Sequence, residues 1–136
     1  KLMKKILTVL ACALLLQASA WALDPARQEK VQLAQGAPVK NLIGKIKGSA
    51  TVEYSVTAPA GGTLAIRLNS VNPSIYFNLS QDGADEALFV GSRDGNRYQA
   101  AVAAPGHYKV LVYLMRNAAR KGQTASYVLE VGATGS

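Results

Sequence analysis

The sequence predicts an all-β protein, an antiparallel β-sandwich of about eight strands preceded by a cleaved signal peptide. Three observations predict it. From Asn41 onward, apolar and polar residues alternate with period two. Turn residues punctuate that alternation about every 8–12 residues, the rhythm of a sandwich. No segment carries a helical period long enough to cross between parallel strands. At 136 residues the chain has room for one domain with a packed core, not two.

The first residues read as a leader rather than as part of that domain. Lys4-Lys5 supplies a positive start, Ile6–Leu16 an unbroken apolar run, and Gln17–Ala22 a small-residue exit. Ala18-Ser19-Ala20 and Ala20-Trp21-Ala22 both fit the cleavage pattern of a secretory signal peptide, here residues 1–22. The run is too short to span a bilayer, which takes about twenty apolar residues. Lys1-Leu2 before Met3, and Gly135-Ser136 at the far end, have the look of cloning scars. Cys12 lies within the apolar run. Because the chain stays apolar beyond it, it is read as part of the leader and not as a lipidated first residue. Cleavage after Ala22 leaves a domain with no cysteine, which must stand on its packed core alone. It also corrects the charge. Of fifteen Lys and Arg, three go with the leader, leaving twelve against eight acids.

Residues 23–40 are polar, broken by Pro25, Gly36 and Pro38. Asp24 as N-cap and Pro25 at the first helical position offer a short helix to Leu33, but a mobile lead-in is the preferred reading. The sandwich is assigned to residues 41–132. Val52, Tyr54 and Val56 alternate with polar neighbours, and Pro59-Ala60-Gly61-Gly62 turns the chain into Leu64, Ile66 and Leu68. Asn72-Pro73-Ser74 precedes a strand at Ile75–Leu79. Asp82-Gly83 and Asp94-Gly95 flank Ala87–Val90, and Pro105-Gly106 precedes Tyr108–Met115. Ala100–Ala104 has no bulk to expose and packs under a neighbour. Tyr127–Val131 is the last strand, and residues 133–136 form a tail.

Catalysis is hard to build from this inventory. A Ser–His–Asp system would need His107, the one histidine, beside a serine with Asp82 or Asp94 orienting it. No spacing favours that. Zinc wants clustered Cys and His, which the mature chain lacks. Asp82, Asp85 and Glu86 are close in sequence, yet Asp82-Gly83 is a hairpin turn and the other acids are distant. Arg67, Lys109 and Lys45 fall on separate strands rather than in a stripe, and no aromatic RNA-binding signature is present. The reading is therefore no enzyme, no metal, no cofactor and no nucleic acid.

What stands out is Arg116-Asn117-Ala118-Ala119-Arg120-Lys121-Gly122, with three cations in six residues between two apolar strands. Were Asn117 to cap a single helical turn ending at Gly122, Arg116 and Arg120 would project to one side. Arginine's planar fork suits bidentate contact with carboxylates. Arg116 also continues the one-sided series Tyr108, Val110, Val112, Leu114, so it must lie past the core, at the sandwich rim.

Several stretches of this chain resemble the bacterial periplasmic inhibitors of g-type (goose-type) lysozyme. They are Gly106-His107-Tyr108-Lys109-Val110-Leu111-Val112, the Arg116–Lys121 segment, Tyr127-Val128-Leu129, and Gly44-Lys45-Ile46-Lys47-Gly48 followed by Tyr54. The likeness runs from about Asn41 to Val131. It implies a β-sandwich that plugs the active-site cleft of a muramidase, with the two loop arginines, here Arg116 and Arg120, as inhibitory residues. It also implies a tyrosine directly after Ile-Lys-Gly, where this chain has Ser49. The resulting expectation is a periplasmic inhibitor whose partner is g-type lysozyme. Arg116 and Arg120 make the contact, Asn117 and Lys121 shape the loop, and Ser49 borders it. The competing reading is a β-sandwich module binding envelope polysaccharide or peptidoglycan, which an exposed pair such as Tyr76 and Tyr113 would favour.

Overall fold

The computed structural model describes residues 26–34, 36, 38–102 and 104–135. The signal-peptide reading of residues 1–22, Cys12 included, lies outside them. In chain order the elements are β1 (Ala26–Gln32), β2 (Lys40–Lys47), β3 (Thr51–Ala58), β4 (Gly62–Ser70), β5 (Ile75–Gln81) and β6 (Ala87–Val90). Then come a one-turn helix α1 (Gly91–Asp94), β7 (Arg97–Ala101), β8 (Gly106–Leu114), a second helical turn α2 (Arg116–Arg120) and β9 (Thr124–Gly135). They form two facing sheets, a five-stranded one ordered β1-β3-β8-β5-β6 and a four-stranded one ordered β2-β9-β4-β7.

The core is the sum of the inward-facing positions of both sheets. Val52, Tyr54, Val56, Phe77, Leu79, Val110 and Val112 come from the first sheet, and Leu64, Ile66, Leu129 and Val131 from the second. All are essentially closed to solvent, which is why the period-two pattern is so clear in these strands. Each such side chain contributes about 1.5–3 kcal/mol on leaving water. Phe89 of β6 stacks on Phe77 at 5.0 Å and meets Tyr98 of β7 edge-on at 5.6 Å, joining the sheets at one end. At the other end Tyr127 reaches inward across Gly44, its register partner. A side chain at Gly44 would collide with that ring.

Two parts of the chain differ from the sequence expectation. Ala26–Gln32, read as lead-in or short helix, is a strand pairing parallel with β3 in the register Ala26↔Thr51 to Gln32↔Thr57. Only Val31 within it is buried, so no apolar alternation betrays it. Residues 133–135, read as tail, continue β9 opposite β4, with Gly62↔Gly135 and Ala133 buried. The sandwich therefore takes in residues on both sides of 41–132 and has nine strands among the described residues.

Candidate functional site

The segment after β8 leaves the sheet at Met115 and is fastened at several points. The Met115 N–H donates to the Ser74 carbonyl at 2.9 Å, and the Met115 carbonyl accepts from the Ala119 N–H at 2.9 Å. Met115 thus holds the N-cap position of α2, with extended ψ of 150° and no side-chain cap. Asn117, expected as the cap, instead lies inside the turn, where its carbonyl accepts from the Lys121 N–H at 3.3 Å. The turn needs no polar cap because β8 feeds it directly and the Ser74 loop anchors it.

Its exit is a Schellman motif. The Gly122 N–H donates to the Ala119 carbonyl at 3.0 Å and the Gln123 N–H to the Ala118 carbonyl at 3.1 Å. Gly122 has φ +67°, a conformation that favours glycine. The Gln123 carbonyl then accepts from Gly48 N–H at 2.9 Å, tying α2 to the β2–β3 hairpin. The Asn72 side chain donates to Gln123 Oε1 and to the Thr124 carbonyl, both at 3.3 Å. Ala118 is buried and plugs the turn into the sandwich rim. Its methyl fits where a larger side chain would lift the loop.

On this mount Arg116, Asn117, Arg120 and Lys121 are all exposed. Arg116 and Arg120, four residues apart, share one side of the turn. None of the four side chains has a hydrogen bond or ion pair to another described residue. Arg116 also walls a groove of about 420 Å³ that includes Gly48, Ser49, Thr51, Tyr113 and Met115. The hairpin residue Ser49 and Arg116 thus line the same groove. Met115, 41% exposed, was not anticipated as part of this surface; its sequence position reads as the end of a strand.

The other candidates disperse. Among the described residues the His107 side chain finds only Thr57 Oγ1, at 3.2 Å from its Nδ1, on the exposed face. Asp82 lies 3.5 Å from Lys109, and Asp94 pairs with Arg93 at 3.0 Å, so neither carboxylate orients the histidine. Among the described residues, no three His, Cys, Asp or Glu converge to hold a metal ion. Tyr76 and Tyr113 are direct cross-strand partners on the outer face of the five-stranded sheet. Both are half-buried, and the Tyr113 hydroxyl is spent on Asn78 Oδ1 at 2.9 Å. Neither is the fully exposed ring that the polysaccharide-binding reading calls for. Tyr54 is fully buried, its hydroxyl 2.7 Å from that of Tyr127. Burial pushes both phenols above their ordinary range, and for Tyr127 the bond to Tyr54 adds to it. Tyr54 is thus a core residue and takes no part in the rim surface.

Fold and site together define a small β-sandwich that carries a stiff basic projection at one end. Comparison with solved structures agrees. Aeromonas hydrophila PliG, a periplasmic lysozyme inhibitor of g-type lysozyme, is 30% identical with TM-score 0.65, over 79% of this chain and 98% of that one. A variant of PliG from Escherichia coli, at 22% identity and TM-score 0.58, shares the fold over 79% of this chain and 98% of its own. So does the pre-peptidase C-terminal domain of a Bacillus anthracis collagenase, at 19% and 0.59, over 80% of this chain and 98% of that one. No protein-family profile matches the chain, and no curated protein does. The chain belongs to the PliG family of periplasmic inhibitors of g-type lysozyme.

Proposed function

We propose that this chain inhibits g-type lysozyme in the periplasm by seating α2 in the enzyme's active-site cleft, with Arg116 and Arg120 as the contacting residues. Family membership supports the activity. The observation that carries the mechanism is the pair of exposed arginines, without partners among the described residues, on one side of a turn fastened to two neighbouring loops.

The chemistry follows from the target. Glycoside hydrolases cut with a pair of carboxyl groups, one of which must be protonated to serve as general acid. A guanidinium placed against such a carboxyl favours its ionised form and so removes the acid. The bidentate fork of arginine adds geometric fit that lysine lacks. A pre-ordered loop loses little entropy on binding, which is the advantage of the Schellman exit and the Gln123–Gly48 tie. Asn117 and Lys121 flank the arginines and shape the rim of the projection, and Ser49 lines its side. No covalent step and no cofactor is required.

The test is lysis of a cell-wall suspension by g-type, c-type and i-type lysozymes, each titrated with the purified protein. Selective protection against the g-type enzyme is expected, lost in the Arg116→Ala/Arg120→Ala variant. Absence of protection at every dose overturns the reading. Unchanged protection by the double variant overturns the assignment of the site.

A further inference from the structure

The outer face of the four-stranded sheet holds a hollow that the loop does not touch, and its construction is legible from strand register. One row across the sheet runs Asn41–Glu130–Arg67–Arg97, each residue opposite the next. The adjacent row runs Gly132–Ala65–Gln99, with Val39 lying over Gly132. The first row is long and charged. The second has a floor of one hydrogen and one methyl. The step between them is a slot of about 260 Å³.

Charge within the slot is unbalanced. Arg67 Nε lies 3.8 Å from Glu130 Oε2, and that same oxygen accepts from the Asn69 amide. Glu130 is thus engaged on two sides. Arg97 faces Arg67 directly, and its side chain has no hydrogen bond or ion pair to another described residue. Like charges placed opposite each other on a sheet weaken it, so two guanidinium groups share one carboxylate here and leave one positive charge over. The slot's other surfaces are mostly apolar: Ala65 and Gly132 form the floor, Ile66 and Tyr98 add to the lining, and Val39, 52% exposed, stands at one end. Gln99, two residues from Arg97 on the same face, brings an amide to the other end.

We propose that this slot binds the free carboxylate end of a small aliphatic ligand, chemically the C-terminus of a short peptide of small residues. The carboxylate meets the Arg97 fork beside Arg67, a charge-assisted bidentate contact. The ligand's methyl groups lie on the Ala65–Gly132 floor against Val39, and Gln99 pairs with its amide. A bulky side chain would not fit, and a ligand without the carboxylate would leave Arg97 uncompensated. This site is separate from α2 and stands whether or not the inhibitory reading does.

The experiment is a titration of the purified protein followed by amide NMR, using acetyl-Ala-Ala, its C-terminal amide, and sulfate. Acetyl-Ala-Ala is expected to shift the amides of Ala65, Arg97 and Gly132 with a Kd on the order of 1 mM, while the C-terminal amide shifts none. Arg97→Gln should weaken binding about tenfold, Arg97→Lys by less, since it keeps charge without the fork. Ala65→Leu, on the solvent face, should abolish binding by filling the floor while leaving the spectrum otherwise native. Absence of shifts at millimolar peptide overturns the proposal, as does equal binding of the amide. Sulfate producing the same shifts and displacing the peptide would reduce the site to an adventitious ion only.

Discussion

Two pairs of arginines in this molecule differ only in what they stand on. Arg116 and Arg120 sit on a helical turn that juts from the sandwich rim, held by Ser74, Gly48 and Asn72. Arg67 and Arg97 sit on adjacent flat strands, above a floor of Ala65 and Gly132. The first pair projects and can enter a cleft. The second borders a hollow and can only receive something small. On the two proposed readings, the curvature of the mount, more than the type of charge, separates what each basic pair would recognise. A convex mount suits a macromolecular groove, whereas a concave one suits a ligand end.

The sharpest way to break the comparison is to exchange the roles. Arg116→Ala/Arg120→Ala should lower lysozyme inhibition at least about 100-fold, as removal of two central hot-spot arginines typically does. Arg67→Gln/Arg97→Gln should leave inhibition unchanged. The same lysis assay reads both. Equal losses in the two variants would mean that net charge, and not the projecting turn, drives association.

A second effect separates the rim from the core beneath it. Tyr127→Phe removes the buried hydroxyl bond to Tyr54 and should cost about 1–2 kcal/mol. Tyr54→Phe/Tyr127→Phe should cost less than the two single changes together, because neither hydroxyl is then stranded. The pH dependence has a definite sign. Both phenols are raised in the folded chain, while in the unfolded chain they titrate near their usual value of about 10. Their contribution is complete below that value and is lost as pH rises past it, because the unfolded chain then releases protons that the folded chain keeps. Urea unfolding between pH 8 and 11 should show stability falling at the alkaline end, with a shallower fall in the double phenylalanine variant. A flat profile in the parent would contradict the burial argument.

The mount itself is the third target. Gly122→Ala forces a side chain into φ +67° and should cost about 1 kcal/mol of stability. It should also weaken inhibition several-fold, since a loosened turn must be ordered on binding. The corresponding floor change, Ala65→Leu, should do neither. Retention of full inhibition by Gly122→Ala would show that the loop's rigidity is dispensable.

How far the sequence revealed these features depended on whether burial left a pattern. β3, β4, β5 and β8 bury every second residue, so period two exposed them. β1 buries only Val31 and is held by backbone pairing with β3, which leaves no trace in the order of side chains. The basic loop was visible because its three cations fall within six residues and Gly122 marks its end. The capping role given to Asn117 failed because the Met115 backbone, fixed by Ser74, starts the turn unaided. The Arg67–Arg97 slot could not be read at all. Its members lie on three strands and at Val39 just before β2, and only the register brings Glu130 and Gly132 beside residues more than sixty positions earlier.

The smallest predicted effect bears on why either pair is present. Arg116 stands at the first position of α2, where the helix dipole disfavours a cation by about 0.3–1 kcal/mol. Arg97 stands opposite Arg67, where like charges are unfavourable by a similar amount. Neither arrangement helps the fold. Arg116→Ala and Arg97→Gln should each raise the Tm by about 1–3 °C at low salt, given how a few tenths of a kcal/mol translate for a domain of this size. The gain should shrink in 0.5 M salt, where exposed charges are screened within a few ångströms. Scanning calorimetry at two ionic strengths decides it. A rise at both sites would mark them as positions where a binding surface is kept at the expense of stability. A fall at either one would mean that arginine supports the structure there through its long aliphatic stem, and the contrast between projecting and receiving pairs would then rest on binding data alone.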